Sequence, residues 1–328
     1  MSFTKTPMDA TRAITAPRKP RKAPGGSLVP FLSGRSYWWY LLPGFVLLTI
    51  IILVPLVWNV YLSFTDYRGI IAPEFNGGKN WAKLFADERF WLSFRNSVAM
   101  IVAMVVAPSA IGLLVAAALF DVIGRKFGGK LASFFRATYY LPQILPSVIA
   151  AIVIGWILRP ENGALNTILE AVGLGSLASN WLGEPSTALW ALMVVLIWIQ
   201  IGYPVVIFMA ALERVDPELY EAAEIDGAGW FRRFGAITMP MIRPEMFVVA
   251  LTCTIAALKV FGPVYALTGG GPNFSTIVPS YYSYSQFFQN QQVGYGATIA
   301  TALTVVIVIV SIVFVWAQNR AERKESER

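Results

Sequence analysis

The sequence predicts an all-α membrane protein with six transmembrane helices. Its 328 residues are 56% hydrophobic and 14% charged, and the mean hydropathy is +0.58, which is outside the usual balance of a soluble domain. The apolar residues gather into runs of about 20, the length that crosses roughly 30 Å of hydrocarbon. The six runs are approximately residues 40–62, 97–119, 138–158, 188–212, 245–267 and 297–317.

The charge distribution predicts the orientation of these spans. With six spans, both termini and the loops after spans two and four share one side, which holds 19 of the 26 Lys and Arg residues. The opposite side holds six, and Lys259 lies within a span. The positive-inside rule therefore predicts that both termini are cytoplasmic. The net charge of +7 is explained by topology, and no nucleic-acid partner is expected.

The scarcity of reactive side chains argues against an enzyme. The chain has no histidine and one cysteine, Cys253, so an internal disulfide and a His/Cys metal site are excluded. The usual general base is also missing. We expect no catalytic residue, no metal site and no cofactor in this chain, and we interpret Cys253 as a small packing residue within a helix.

The chain divides into two tails and one membrane domain. Residues 1–36 are rich in Pro, Lys and Arg and are predicted to be a disordered, basic cytoplasmic tail; contact with anionic membrane lipid is one possibility and a tail without a partner is the other. Residues 37–318 are predicted to form the six-helix transmembrane domain, and residues 319–328 are predicted to form a cytoplasmic C-terminal tail.

Two external loops have distinct character. Apolar residues after Asn80-Trp81 recur at helical spacing and predict an amphipathic helix on the outer surface. The loop at residues 268–296 has no charged residue and opens with Gly269-Gly270-Gly271-Pro272, which cannot continue a helix. Such a neutral, aromatic surface suits contact with another protein or with a neutral polar ligand.

The segment at residues 212–243, here called the elbow, is acidic and rich in alanine between two apolar runs. Asp216-Pro217-Glu218 predicts a helix start. Glu221, Ala222 and Ala223 follow, and Gly227 predicts a bend before a second short helix at residues 230–237. Small alanines let a partner approach closely, and carboxylates offer anchors for arginine. The alternative is a solvated loop helix that packs on its own bundle.

The elbow resembles the EAA signature of permease subunits of binding-protein-dependent ABC importers. The resemblance rests on Glu221-Ala222-Ala223 with Asp226-Gly227-Ala228, followed by Ile237-Thr238-Met239-Pro240, in which Met239 takes the position of a leucine. It extends from about residue 40 to 317, and several further segments are similar to carbohydrate-uptake permeases of the maltose and glycerol-phosphate type. The supporting segments are residues 90–91, 142–146, 162–166, 256–261 and 267–272.

This resemblance implies a type I ABC importer permease fold in a bacterial or archaeal plasma membrane. It implies a second homologous permease, a dimer of cytoplasmic ATP-binding subunits that binds ATP and Mg²⁺, and an extracellular or periplasmic solute-binding protein. The chain would form half of a pathway for a sugar or related polyol. Carried over to this sequence, Glu221, Ala222, Ala223 and Gly227 dock the ATPase, and Asp226 supports the bend.

Four residues within the spans are candidates for the substrate pathway. Trp198, Gln200 and Tyr203 offer aromatic faces and an amide, which suit sugar C–H groups and hydroxyls. The alternative for them is packing and hydrogen bonding between helices. Lys259 is an intramembrane charge and so a functional candidate, with snorkelling toward the outer interface as its alternative.

Other transport classes remain open from the sequence. The rivals are a permease for a non-sugar solute and an ion-coupled secondary transporter, although the latter normally needs acidic residues within its spans. The segment Gly124–Lys130 has phosphate-loop spacing, but Leu131 follows where Ser or Thr would bind Mg²⁺. We therefore expect ATP hydrolysis in a separate chain.

Overall fold

The computed structural model describes residues 37–70, 72–120 and 129–326. The predicted tail at residues 1–36 and most of the phosphate-loop-like segment lie outside these ranges. The chain divides into two compact units at Pro55, and the packing considered below lies within the second unit, Leu56–Arg328.

The described residues fold into helices joined by turns, with an antiparallel bridge between Thr65 and Phe75. Helices α1 to α9 are Tyr37–Leu48, Val54–Ser63, Lys79–Ala86, Glu88–Ala118, Gly129–Ile144, Ser147–Ile157, Ala164–Ala171, Ala188–Gln200 and Gly202–Leu212. Helices α10 to α16 are Pro217–Ile225, Trp230–Arg233, Met239–Met241, Arg243–Leu258, Gly262–Leu267, Pro279–Tyr284 and Val293–Ser326. Short π-helical segments are Thr49–Leu53, Phe234–Thr238 and Ser285–Gln289, and Gly175–Leu177 is a 3₁₀ turn.

Within the described residues, four helices are long and apolar enough to span a membrane by themselves. They are Trp38–Ser63, Glu88–Ala118, Ala188–Leu212 and Val293–Ala321. Two further candidates are bent pairs: Ser133–Ile144 with Ser147–Ile157 at 94°, and Trp230–Met241 with Arg243–Leu258 at 70°. Counting each pair as one span gives six, the predicted number, although the second pair begins at Trp230, well before the predicted start of the fifth span at residue 245.

Two predicted spans are interrupted. The run at residues 138–158 is not one straight helix, because α5 ends at Ile144 and α6 begins after Pro146; proline disfavours the helical conformation in the residue before it. The run at 245–267 was also predicted as continuous, yet α13 ends at Leu258 and α14 begins only at Gly262, with Pro263 in its first turn. Both breaks follow proline chemistry that hydropathy alone does not register.

The predicted ends of other elements also shift. The last helix begins at Val293 and continues to Ser326, so most of the predicted tail at 319–328 prolongs a helix. The predicted outer helix is α3, and its Asn80 is buried and donates to the carbonyl oxygen of Thr65 at 2.9 Å.

The uncharged loop at residues 268–296 is less of a free surface than predicted. It contains α15, and Ile277, Val278 and Tyr282 are buried. The Nδ2 of Asn96 in α4 donates to the carbonyl oxygens of Ser275 and Ile277, both at 3.0 Å. Buried backbone groups in an irregular segment require such partners, so this loop is fastened to the bundle.

Close helix packing forms the main core. Phe208, Ile242, Val249 and Cys253 have no measurable exposure in a cluster built from α4, α9 and α13. A Cβ added at Gly112 would lie 2.6 Å from the Cβ of Pro204, so α4 and α9 approach too closely for a larger residue. Small residues at such crossings are typical of membrane helices.

Candidate functional site

The first helix of the elbow begins as the sequence predicts. The side chain of Asp216 accepts a hydrogen bond from the backbone N–H of Glu218 at 3.0 Å, and Pro217 occupies the first turn. The next aromatic residue points inward: Tyr220 is 2% exposed, and its hydroxyl lies 3.1 Å from the Oγ1 of Thr238. This contact joins the first helix of the elbow to the second.

The bend has a specific hydrogen-bonding pattern. The N–H of Ala228 donates to the carbonyl of Ala223 at 2.9 Å, and the N–H of Gly227 donates to that of Glu224 at 3.0 Å. Gly227 has φ +75°. This combination is the Schellman ending of a helix, in which glycine avoids the steric cost of left-handed backbone. The predicted glycine bend is therefore present.

The second half of the elbow turns back along the first. The chain continues as α11, a π-helical segment and α12, where the sequence predicted one short helix at 230–237. The guanidinium of Arg233 pairs with the carboxylate of Glu224 across the bend. Arg233 is largely buried, since 16% of its side chain is exposed. The bend is thus closed by an ion pair as well as by the backbone.

The outward face of the elbow presents the predicted docking residues. Glu221, Ala222, Asp226 and Gly227 are exposed, and Ala223 is half-buried. Two apolar side chains that the sequence reasoning missed also lie there: Ile225 is 87% exposed and Phe231 is 84% exposed. Exposed apolar side chains beside carboxylates are typical of a protein-binding surface. The available signal for Ile225 was its position between Glu224 and Asp226, whereas Phe231 follows the glycine bend in the second helix of the elbow.

Ion pairs connect the base of the elbow to the spans. Arg136 of α5 donates to Glu213 at 2.6 Å, and Arg214 pairs with Glu245 at the start of α13. Both helices continue into the bent or broken spans described above. The elbow therefore contacts α5 and α13 through charged side chains.

A cavity of about 390 Å³, here called the polar cavity, lies beside the breaks in the spans. Its polar lining includes Gln143, Ser147, Gln200 and Lys259, with Phe261 at one side. The Oε1 of Gln143 is buried without a hydrogen-bond partner among the described residues. Lys259 is exposed and forms no ion pair within those same ranges. The structure thus brings Gln200 and Lys259 together and adds Gln143.

The other two pathway candidates lie elsewhere. Trp198 lines a separate, almost wholly apolar cavity of about 660 Å³ together with Trp181 and Trp190. The hydroxyl of Tyr203 donates to the Oγ1 of Thr252 at 3.3 Å, which is a helix–helix contact. Neither residue lines the polar cavity.

Aromatic rings continue outward from the polar cavity. Phe261 lies 5.2 Å from Tyr284 and 5.6 Å from Tyr265, measured between ring centroids, and Tyr281 contacts all three rings. From the sequence, Tyr281 and Tyr284 were noted only as part of the neutral loop, and Tyr265 lies in the predicted fifth span. Their convergence on Phe261 depends on the break after Leu258, which was not foreseen.

Comparison with known proteins settles the class. Residues 109–326 match the family described as the inner membrane component of binding-protein-dependent transport systems. The chain belongs to this family. A probable ABC transporter permease from Bacillus subtilis, YurN, is 33% identical over 87% of this chain and 94% of its own length. The diacetylchitobiose uptake system permease NgcF of Streptomyces coelicolor is 37% identical over 81% of this chain and 76% of its own.

A solved structure supports the same fold. A chain from a bacterial ABC transporter involved in the import of the acidic polysaccharide alginate superposes with a TM-score of 0.71 at 24% identity, covering 88% of the permease and 95% of the other chain. The permease therefore has the type I ABC importer permease fold and is a multi-pass integral membrane protein. The resemblance drawn from the elbow is confirmed.

Proposed function

We propose that the permease forms half of the pathway of an ATP-driven importer for a sugar or related polyol, and that the elbow couples it to a cytoplasmic ATPase. The observation that carries the proposal is the closed bend at Gly227, around which Glu221, Ala222, Ile225 and Phe231 are all exposed. A surface of this kind needs a partner, because large exposed apolar side chains are disfavoured in water.

The partner in this proposal is a dimer of ATP-binding subunits. ATP and Mg²⁺ bind there, so this chain carries neither the nucleotide nor a catalytic residue. The carboxylate of Glu221 pairs with a basic group of the ATPase, the alanines allow close approach, and Asp226 supports the bend. When the ATPase dimer closes, the elbow moves and the ion pairs at Glu213 and Glu245 transmit the motion to α5 and α13.

The proposed substrate site includes the polar cavity. Amide groups of Gln143 and Gln200 can satisfy hydroxyls, Phe261 offers a ring face, and Lys259 donates without a competing acidic partner among the described residues. The names of the relatives, one a diacetylchitobiose permease and another a lactose permease that is 30% identical, support a carbohydrate. A second homologous permease completes the pathway, and a solute-binding protein delivers the substrate.

The proposed orientation has both termini and the elbow in the cytoplasm of a bacterial or archaeal cell. The supporting observation is the excess of basic residues on that side.

Uptake into proteoliposomes tests the proposal. The complex co-purified with the permease is reconstituted with its solute-binding protein, and uptake of labelled oligosaccharides, polyols and amino acids is compared. We expect sugar uptake that requires ATP inside and the binding protein outside, and that persists when an ionophore removes ion gradients. Uptake that needs no ATP and stops with the ionophore would contradict it, and preference for an amino acid would refute the substrate class.

A further inference from the structure

Three basic side chains converge on a pocket at the opposite end of the spans from the elbow. Arg68, Lys79 and Lys83 line a space of about 520 Å³, here called the outer pocket, together with Asp66, Asn80 and Gln292. The positive-inside rule predicts few Lys and Arg residues on the outer side of the membrane, and the chain has only six on the side predicted to be external. Half of those six line the outer pocket.

The cations of the outer pocket have no acidic partner among the described residues. The nearby carboxylate of Asp66 instead accepts a hydrogen bond from the Nδ2 of Asn76 at 3.2 Å. Lys83 is positioned by neutral groups: its Nζ donates to the Oε1 of Gln292 at 2.7 Å and lies 3.9 Å from the ring centroid of Tyr295. Three cations therefore face one carboxylate in the outer pocket, and an excess of oriented positive charge is suited to an anion.

The floor of the outer pocket is rigid. The N–H of Gly294 donates to the carbonyl of Tyr67 at 3.0 Å, and the Oγ1 of Thr298 donates to that of Ser63 at 3.0 Å. A Cβ at Gly294 would lie 2.0 Å from the carbonyl oxygen of Thr65. The segment that follows α2 is therefore in direct backbone contact with the start of α16. A site held in this way pays little ordering entropy when a ligand binds.

The outer pocket lies where two spans leave the membrane. Helix α2 ends at Ser63 and α16 begins at Val293, and both ends border the pocket. Just below, the exposed rings of Trp58 and Tyr61 lie 5.2 Å apart, with the apolar Val57 exposed beside them. Exposed Trp and Tyr mark the membrane–water interface. The cations therefore lie at the level of the lipid headgroups.

We propose that Arg68, Lys79 and Lys83 bind the phosphate of an anionic lipid headgroup in the outer leaflet. Two basic residues near an anionic headgroup strengthen its binding roughly 30-fold, and a third adds to this. The proposal needs the membrane position of these spans but not the direction or substrate of transport.

Native mass spectrometry of the detergent-purified full-length permease, titrated with phosphatidylglycerol or phosphatidylcholine, tests it. The variant Lys79→Gln with Lys83→Gln is compared with Arg95→Gln with Arg159→Gln, which removes the same charge from exposed residues of the same side. We expect selective phosphatidylglycerol binding in wild type and in the control, and binding weakened roughly 30-fold in the pocket variant. Equal unfolding temperatures of both variants in phosphatidylcholine establish that folding is intact.

Three results would overturn the proposal. In the first, the pocket variant retains the lipid; if it also loses affinity for the solute-binding protein, that protein is the partner of the outer pocket. In the second, both variants lose the lipid equally, which would indicate a general surface effect. In the third, excess inorganic phosphate displaces the lipid, which would make free phosphate the ligand. None of these readouts involves ATP or uptake, so this proposal and the proposed function fail independently.

Discussion

At the scale of single residues, Gly227 has the most specific role. Its left-handed backbone ends α10, and space around it is open, since nothing lies within 4 Å of an added Cβ. A substitution there is therefore strained by backbone conformation alone. Gly235, in the same elbow, is equally open but has no positive φ, so it provides a matched control.

Replacing Gly227 with alanine should weaken the association of the elbow with the ATPase. Left-handed backbone costs an L-residue about 1–2 kcal/mol, which corresponds to a loss of roughly fivefold to 30-fold if docking requires this bend. The ratio of ATPase subunit to permease after purification measures the effect. Gly235→Ala should match wild type; a loss of equal size in that variant would mean that the bend is not the cause.

Asp87 is the second residue with a distinct role. Its carboxylate accepts hydrogen bonds from the hydroxyls of Tyr282 and Tyr295 and from the N–H of Arg89, so it fastens the start of α4 to α15 and α16. Burial raises its pKa, but these hydrogen bonds together outweigh burial and hold the pKa below its usual range. Burial and the neighbouring Asp87 carboxylate raise the pKa of Tyr282, so its phenol remains a donor.

Asp87→Asn should lower the free energy of unfolding by about 1–3 kcal/mol at pH 7, because charged acceptors are lost, while the N-cap is retained. A pKa lower in the folded state means that the stabilisation is complete above the unfolded value near 3.9 and is lost as the pH falls through the folded value. The gap between wild type and variant should therefore narrow near pH 3. Denaturant unfolding in lipid, at pH 7 and near pH 3, measures the free energy of unfolding of wild type and of Asp87→Asn.

The exposed neighbour Glu88 is the control for that experiment. Glu88→Gln should change stability by less than about 0.5 kcal/mol. A gap between wild type and Asp87→Asn that stays constant down to pH 3 would contradict the role given to the Asp87 carboxylate.

At the scale of elements, local signals predicted what depends on local chemistry. The start of α10 follows from Asp216 and Pro217, and the uninterrupted apolar run 188–212 became the span Ala188–Leu212. The EAA pattern likewise located the elbow, because its acidic, small and glycine residues are contiguous in sequence.

Hydropathy did not predict the breaks at prolines, and sequence spacing did not predict the elements that long-range contacts set. The break between Leu258 and Gly262 interrupts a run that is apolar on both sides, so the hydropathy pattern does not indicate it. The loop around Ile277 is buried because Asn96, far away in sequence, donates to its carbonyl. Gln143 and Gln200 share a cavity only because α5 bends away at Pro146. Sequence spacing contains none of this geometry.

Substitutions at Gln200 and Trp198, two nearby residues of α8, should distinguish a role in substrate binding from a role in helix packing. Gln200→Ala removes an amide from the polar cavity and should lower kcat/KM for uptake about tenfold, the effect of one hydrogen bond. Trp198→Ala alters a different, apolar cavity and should leave the KM unchanged. Uptake kinetics in proteoliposomes measure both.

The control for Gln200 is Cys253→Ala. The Nε2 of Gln200 donates to the Sγ of Cys253 at 3.3 Å, so this variant removes the packing contact and leaves the cavity lining intact. If Cys253→Ala lowers uptake as much as Gln200→Ala, or if Trp198→Ala raises the KM, the placement of the pathway in the polar cavity is wrong.

At the scale of the whole molecule, contacts within the fold connect the elbow to the helices that border the polar cavity. The elbow exposes most of the predicted docking residues, ion pairs at its base reach α5 and α13, and those helices border the polar cavity. Composition predicted the spans, and the orientation derived from charge stays a prediction. The connection from elbow to cavity emerged only from the folded chain, because it depends on pairs such as Arg136 with Glu213 that are distant in sequence.

The most direct test of this account is purification of the tagged full-length permease from its native membrane, with mass spectrometry of the proteins that accompany it. Wild type is compared with Glu221→Lys in the elbow and with Glu161→Lys, the same charge reversal at an exposed residue of an outer loop. We expect all three to retain a second permease, and only Glu221→Lys to lose the ATP-binding subunit. Recovery of that subunit with Glu221→Lys, or its absence from wild type together with ATP-independent uptake, would contradict the central claim.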